Sequence, residues 1–210
     1  MTPAIRDTLD PRSTALLICD VQNDFCSPGG KVFDRAAKQP GIIADFVRQI
    51  AELAQSARHG SVKVVFIRNT HLAGAMDVSA EHMQRLKSTR LAATIADVSC
   101  IAGSWGHQVV DALKPQDTDI VIDKSGFNIF QYSMVNKVLR AQAIQSVVLT
   151  GLSTYAGILA TSFALMDYGY HFSVPRECVT GYEPGLHDAA MKILGPHLVN
   201  VADVVELWGR

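Results

Sequence analysis

The sequence predicts an α/β domain in three layers, a mainly parallel sheet with helices packed on both faces. Two observations predict it. Short apolar runs rich in β-branched residues, at 15–19, 63–67, 119–122 and 146–150, alternate with longer segments of helical period, and such alternation builds right-handed βαβ units. Several of these runs are continuously apolar, as strands covered on both faces must be. A chain of 210 residues can fill one sizeable core and is short for two, so a single domain over 1–210 is expected.

The elements follow in order. Ile42, Ile43, Phe46, Ile50, Leu53 and Ala54 recur at i, i+3, i+4 spacing and predict a helix over 41–58, with Gly60 as its stop. A second helix is expected over 133–141 with Met134, Val135, Val138 and Leu139 turned inward, and a third over 155–167, capped by Thr154 and ended near Gly169. A strand at 171–174 and a helix at 186–194 complete the pattern. Residues 69–116 are irregular, with a short helix near 79–87; a stretch of that length predicts a lid or an oligomer contact rather than a linker.

Composition removes several function classes. A net charge of −1 without any Lys/Arg cluster offers nothing to a polyanion, so no nucleic-acid partner is expected. The longest mostly apolar stretch, 156–166, is too short to span a bilayer, and residues 1–14 lack an apolar leader-like core, so no membrane partner and a cytoplasmic location are expected. Cys19, Cys26, Cys100 and Cys178 form no C-x-x-C pair and read as reduced, buried thiols. The histidines show no H-E-x-x-H spacing; His71 and His82 could meet in space, but solvated or core roles are expected for them.

Three places at the carboxyl ends of predicted strands could carry chemistry, because open α/β sheets gather ligands there. Asp20 follows five apolar residues, where poor solvation raises a carboxyl pKa and suits it to proton transfer; taken alone it is equally a turn aspartate. Lys124 ends another apolar strand and could pair with Asp20 or bind a substrate oxygen; taken alone it is a solvated lysine. The strand-turn-helix VVLTGLSTYAGILAT presents first-turn amides to whatever lies over the sheet, an arrangement that favours developing negative charge. Gln22, Phe25, Phe127, Ser153 and Tyr155 are the candidates for binding substrate or an oxyanion. Phe25, Trp105, Phe127, Phe130 and Tyr155 could line an apolar pocket, or equally be ordinary core.

Chain order and context make the combination more specific. Asp20 opens a D-x-Q-x-D-F element, DVQNDF; Lys124 is followed by Phe130 and Ser133 as in K-x-x-x-x-x-F-x-x-[ST]; and GLSTYAGILAT resembles G-x-x-T-x-x-C-V-x-x-T, with Gly151, Thr154 and Thr161 in register. In these features, over about residues 13–201, the chain resembles the isochorismatase-like, or cysteine hydrolase, superfamily. The resemblance implies a six-stranded parallel sheet, a homodimer or homotetramer, and an Asp–Lys–Cys triad hydrolysing small amides, ureido compounds or related bonds. The apolar end VVELW is a candidate oligomer contact.

One member of the triad does not carry over. Gly157 stands at the cysteine's position, so no thioester can form there. As helix sequence it costs roughly 1 kcal/mol relative to alanine. It either allows tight packing or leaves room for water or substrate. Members of the superfamily with glycine at that point, true isochorismatases among them, cleave a vinyl ether by protonating carbon from the aspartate and letting water attack. The resemblance therefore implies water attack with Asp20 as acid/base on a small-molecule substrate, with vinyl-ether cleavage favoured. GSWGHQVV resembles ureidoacrylate-type hydrolases and keeps open an amide or ureido C–N hydrolase whose cysteine has been replaced by Gly157. A non-catalytic small-molecule binder is the third reading. The metal-binding nicotinamidase branch needs Asp-x-His after the second strand, where RNTHLAGAMD supplies His71 without that aspartate; no metal and no cofactor are expected.

Overall fold

The structure is a computed structural model that describes residues 8–37 and 40–209. Strand β1, Thr14–Cys19, is buried along its whole length and lies at the centre of the sheet. It pairs in parallel with β2, Lys63–Asn69, on one side and with β4, Ser146–Leu152, on the other. Beyond β2 lies β3, Ile120–Lys124, and beyond β4 lies β5, His171–Pro175. A short turn, Arg176–Cys178, interrupts the fifth strand. It resumes as β6, Val179–Thr180, beside the end of β4, while β7, Leu198–Val199, pairs with β5 at the edge. Counting β5 and β6 as one broken strand gives the six-stranded parallel sheet, in the order β3-β2-β1-β4-β5-β7.

Both faces of the sheet are covered, and alternate residues of β1 show it. Leu16 and Ile18 join a cluster with Phe66, Val148 and helix α1, Pro40–His59, whereas Ala15, Leu17 and Cys19 join the cluster on the opposite face. Period-two alternation with both sides apolar is what a doubly covered strand requires. Helix α1 turns Ile43, Phe46, Ile50, Leu53 and Ala54 to the core. Its last turn is fixed by Arg58, whose guanidinium grips the buried Asp119 carboxylate with two hydrogen bonds, 2.6 and 3.2 Å. Helix α2, Ala80–Ser88, sits in the irregular segment, capped by the Ser79 hydroxyl. Helices α3, Val135–Ala141, α4, Leu159–Asp167, and α5, Pro184–Leu194, cover the face opposite α1.

Several local expectations are corrected. Ile42 and Met134 are exposed: α1 inserts a narrower stripe, and α3 begins one residue after Met134. VVELW is no free contact surface; it belongs to α6, Val201–Trp208, whose Val204 and Trp208 are buried in the α1 cluster. Strand β3 runs on to Lys124, which makes that lysine part of the sheet.

Gly151 shows how tightly β1 and β4 approach. Its φ is +122°, and a Cβ added there would lie 2.0 Å from the Cys19 carbonyl oxygen. Backbone on both sides cannot yield, so Gly151→Ala is expected to cost about 3 kcal/mol, read as a lower urea midpoint. An unchanged midpoint would contradict this packing.

Candidate active site

The chain runs from β1 to β2 and β3 on one side, then returns to β4 on the other side of β1. At such a switch point the carboxyl ends of the strands open a crevice. Asp20, the first residue past β1, stands there with φ of 61°, a left-handed conformation that aspartate tolerates better than most residues. Its amide still donates to the Ile67 carbonyl at 2.8 Å, which pins the backbone to β2. Lys124, the last residue of β3, reaches across the end of β2 and sets Nζ 2.9 Å from Asp20 Oδ2. Both side chains are buried. The pairing expected from sequence is therefore present.

Burial pushes the Asp20 carboxyl above its usual 3.8, against the opposing pull of the Lys124 ammonium and, more weakly, of the Asn69 amide. Asp20 Oδ1 is buried and has no hydrogen-bond partner among the described residues. An unpartnered buried oxygen of this kind is uncommon, since buried polar atoms ordinarily find partners.

Helix α4 begins as a widened π turn, Thr154–Ile158, in which the Ala156 and Ile158 amides both donate to the Ser153 carbonyl at 3.0 and 3.2 Å. Turns of this kind cluster at functional sites. Thr154 does not cap the helix as expected: Ser153 holds the cap position, and the Thr154 hydroxyl is 2.9 Å from His187 Nδ1 on α5. Gly157 faces Asp20. A Cβ built on it would sit 3.4 Å from Asp20 Oδ2 and 3.6 Å from the Leu152 carbonyl oxygen, ordinary contact distances.

These groups form the floor of a cavity of about 630 Å³. Of the residues expected to bind substrate, Phe25, Phe127, Ser153 and Tyr155 line it with Asp20, Lys124 and Gly157. Gln22 does not. It is fully buried, and its side-chain amide donates to the carbonyls of Asn69 and His107, both at 2.9 Å, and accepts from the Asn69 amide at 2.7 Å. Its work is to tie the end of β2 to the 103–110 loop. Trp105 and Phe130 are also outside the lining: Trp105 is half exposed elsewhere, and Phe130 stacks on Tyr168 at 4.7 Å.

The irregular segment supplies one wall, through His71, His82 and Arg85 among others. His71 is buried as a core histidine would be, yet both histidines line the cavity and meet in space, as the sequence allowed. Their rings meet at 5.4 Å, and Asp77 Oδ2 holds His71 Nδ1 at 2.8 Å. Asn69 and His71 lie at and just past the end of β2, the same carboxyl-end position that singled out Asp20 and Lys124. That rule could have found both. Among the described residues no group of three or more His, Cys, Asp or Glu is placed to hold a metal ion, and no helix is long and apolar enough to cross a membrane.

A buried carboxylate–ammonium pair thus lies beneath a helix mouth at the switch point of a parallel sheet, where open α/β sheets gather their ligands. Residues 14–206 match the Isochorismatase domain, and the chain belongs to the isochorismatase family. Among its relatives is a ureidoacrylate amidohydrolase RutB of Caulobacter segnis, 28% identical over 159 residues, covering 73% of this chain and 66% of the relative. A second, from Methylobacterium radiotolerans, is 30% identical over 169 residues, covering 78% and 64%. The chain thus spans less than two thirds of the length of these relatives. The crystal structure of a cysteine hydrolase from Pseudomonas syringae pv. phaseolicola 1448A shares the fold, with a TM-score of 0.80 at 20% identity over 96% of this chain and 94% of that one.

Proposed function

We propose that the protein hydrolyses a small ureido or amide substrate by direct attack of water, with Asp20 moving the proton and Lys124 holding Asp20 and a substrate oxygen. The observation that carries this reading is the 2.9 Å buried pair of Asp20 and Lys124, with Oδ2 facing the side-chain-free Gly157 on the cavity floor. The names of the relatives favour a ureido C–N bond over a vinyl ether. In the productive step the Asp20 carboxylate takes a proton from water as its oxygen bonds to the substrate carbonyl carbon. Lys124 and the amides at the helix mouth bear on the developing oxyanion. Collapse breaks the C–N bond, and the proton on Asp20 passes to the leaving nitrogen.

None of the four cysteines supplies a nucleophile in this scheme. All are buried, and burial pushes each thiol upward, away from the reactive thiolate. Iodoacetamide is therefore expected to leave native activity unchanged, whereas Gly157→Cys, whose Cβ the site accommodates, becomes rapidly labelled. Inactivation of the unsubstituted protein by alkylation would contradict a thiol-free mechanism.

Vinyl-ether cleavage is the second reading, favoured by Gly157 and by the raised Asp20 carboxyl, which keeps a proton to higher pH. The two differ in sign. As a base, Asp20 makes kcat/KM rise with pH through a midpoint above 3.8; as an acid toward carbon it makes kcat/KM fall through the same midpoint. Assaying 3-ureidoacrylate, simple amides and a vinyl ether across pH separates them, and binding without turnover of any of them would leave the non-catalytic reading. The proposal includes a single domain, a cytoplasmic setting, a homodimer or homotetramer, and no metal or cofactor. Activity unchanged by EDTA dialysis, and a dimer or tetramer mass by light scattering, are the expected results.

A further inference from the structure

The charges at the cavity floor are matched, but those at its mouth are not. One face of α2 turns His82, Arg85 and Leu86 into the cavity at i, i+3, i+4 spacing, and Arg90 follows just beyond the helix. Among the described residues of the lining, three cations, Lys124, Arg85 and Arg90, outnumber two carboxylates, Asp20 and Glu183, by one. Burial, and then the nearby Arg85, lower the His82 pKa and disfavour a charge there.

Arg85 is the placed cation of this rim. Its guanidinium lies over the Phe127 ring, 5.0 Å from the centroid, bridging α2 and the loop after β3 across the mouth. Attraction to the ring face holds the cation at the mouth, and among the described residues its N–H groups make no side-chain hydrogen bond. Among the described residues no carboxylate forms an ion pair with it. A planar fork with an unengaged edge matches a carboxylate two bonds at a time, whereas one net charge suits a monoanion better than a phosphate dianion.

We propose that Arg85, braced on Phe127, is the specificity-determining residue that takes the carboxylate of a monoanionic substrate at the cavity mouth, with the scissile bond over Asp20 and Gly157. This rests on the reading of the site as hydrolytic. Two measurements keep the two claims apart. Calorimetry on Asp20→Asn protein compares 3-ureidoacrylate, its uncharged primary amide and inorganic phosphate. The acid is expected to bind about tenfold tighter than the amide; adding Arg85→Gln abolishes that preference, and Arg85→Lys restores part of it. Equal binding of acid and amide, tighter binding of phosphate, or a preference that survives Arg85→Gln overturns the assignment.

In turnover, Arg85→Gln raises KM for the acid about tenfold with kcat within about twofold, and leaves both constants for the amide unchanged. Equal losses for acid and amide would make Arg85 merely structural and overturn the proposal. If neither compound is hydrolysed but the Asp20→Asn protein still prefers the acid through Arg85, the carboxylate site stands and the ureido hydrolase reading falls.

Discussion

Asp20→Asn is expected to lower kcat/KM by about two to four orders of magnitude, the range a positioned acid/base group contributes, with the far-ultraviolet spectrum unchanged. The substitution keeps the shape of a side chain whose neighbours are the Lys124 ammonium at 2.9 Å and the backbone around Gly157. It removes the negative charge and the oxygen that accepts a proton. Neither Ser153 nor Tyr155 can take over, because neither hydroxyl is a comparable base at neutral pH. The check is single-turnover hydrolysis of 3-ureidoacrylate alongside thermal unfolding; a loss below tenfold in a folded protein would remove Asp20 from the chemistry.

Lys124→Met should have the second largest effect, and its signature lies in the pH dependence. The side chain is 2% exposed, so methionine fills the space while leaving the Asp20 carboxylate buried with no cation. The opposing pull of Lys124 is then gone, and burial raises the Asp20 carboxyl further. A base-dependent rate at pH 7 falls about a hundredfold or more, and the acidic limb moves to higher pH. Stability shifts in the same window. The folded carboxyl of the variant titrates above the unfolded value, so between those two values the folded state holds more protons and stability falls as pH rises. At the top of that window, removing one partner of a buried pair costs about 3–5 kcal/mol. Urea midpoints at pH 5 and pH 8 test this: a loss that is equal at both contradicts the pairing.

The parts of the molecule legible in the sequence are those written in local pattern. The apolar runs placed β1, β2, β3 and β4, and the 3.6-residue period placed α1, because each is a rule about neighbours in the chain. The carboxyl-end rule then selected Asp20 and Lys124, and the motif match selected Gly157; the three meet over one floor. What was missed depends on partners far away in sequence. Gln22 looks like a substrate ligand in DVQNDF, but its amide is engaged by Asn69 and His107, a contact no spacing announces. Thr154 has the form of a cap, yet the π turn hands that position to Ser153 and frees its hydroxyl for His187. Strands β6 and β7 have two residues each, too few to show any period. The His71, His82 and Arg85 wall escaped for a related reason. Residues 69–116 are held by turns and a small cluster of Ala75, Leu86, Ala92 and Val98 rather than by a repeating stripe.

The most direct test of water attack without an enzyme nucleophile is rapid-quench hydrolysis of 3-ureidoacrylate, with the intact protein weighed at each time point. Product should accumulate linearly from the first turnover while the protein mass stays that of the free chain. A burst accompanied by an acyl or carbamoyl adduct on any residue, or no product at all, would contradict it.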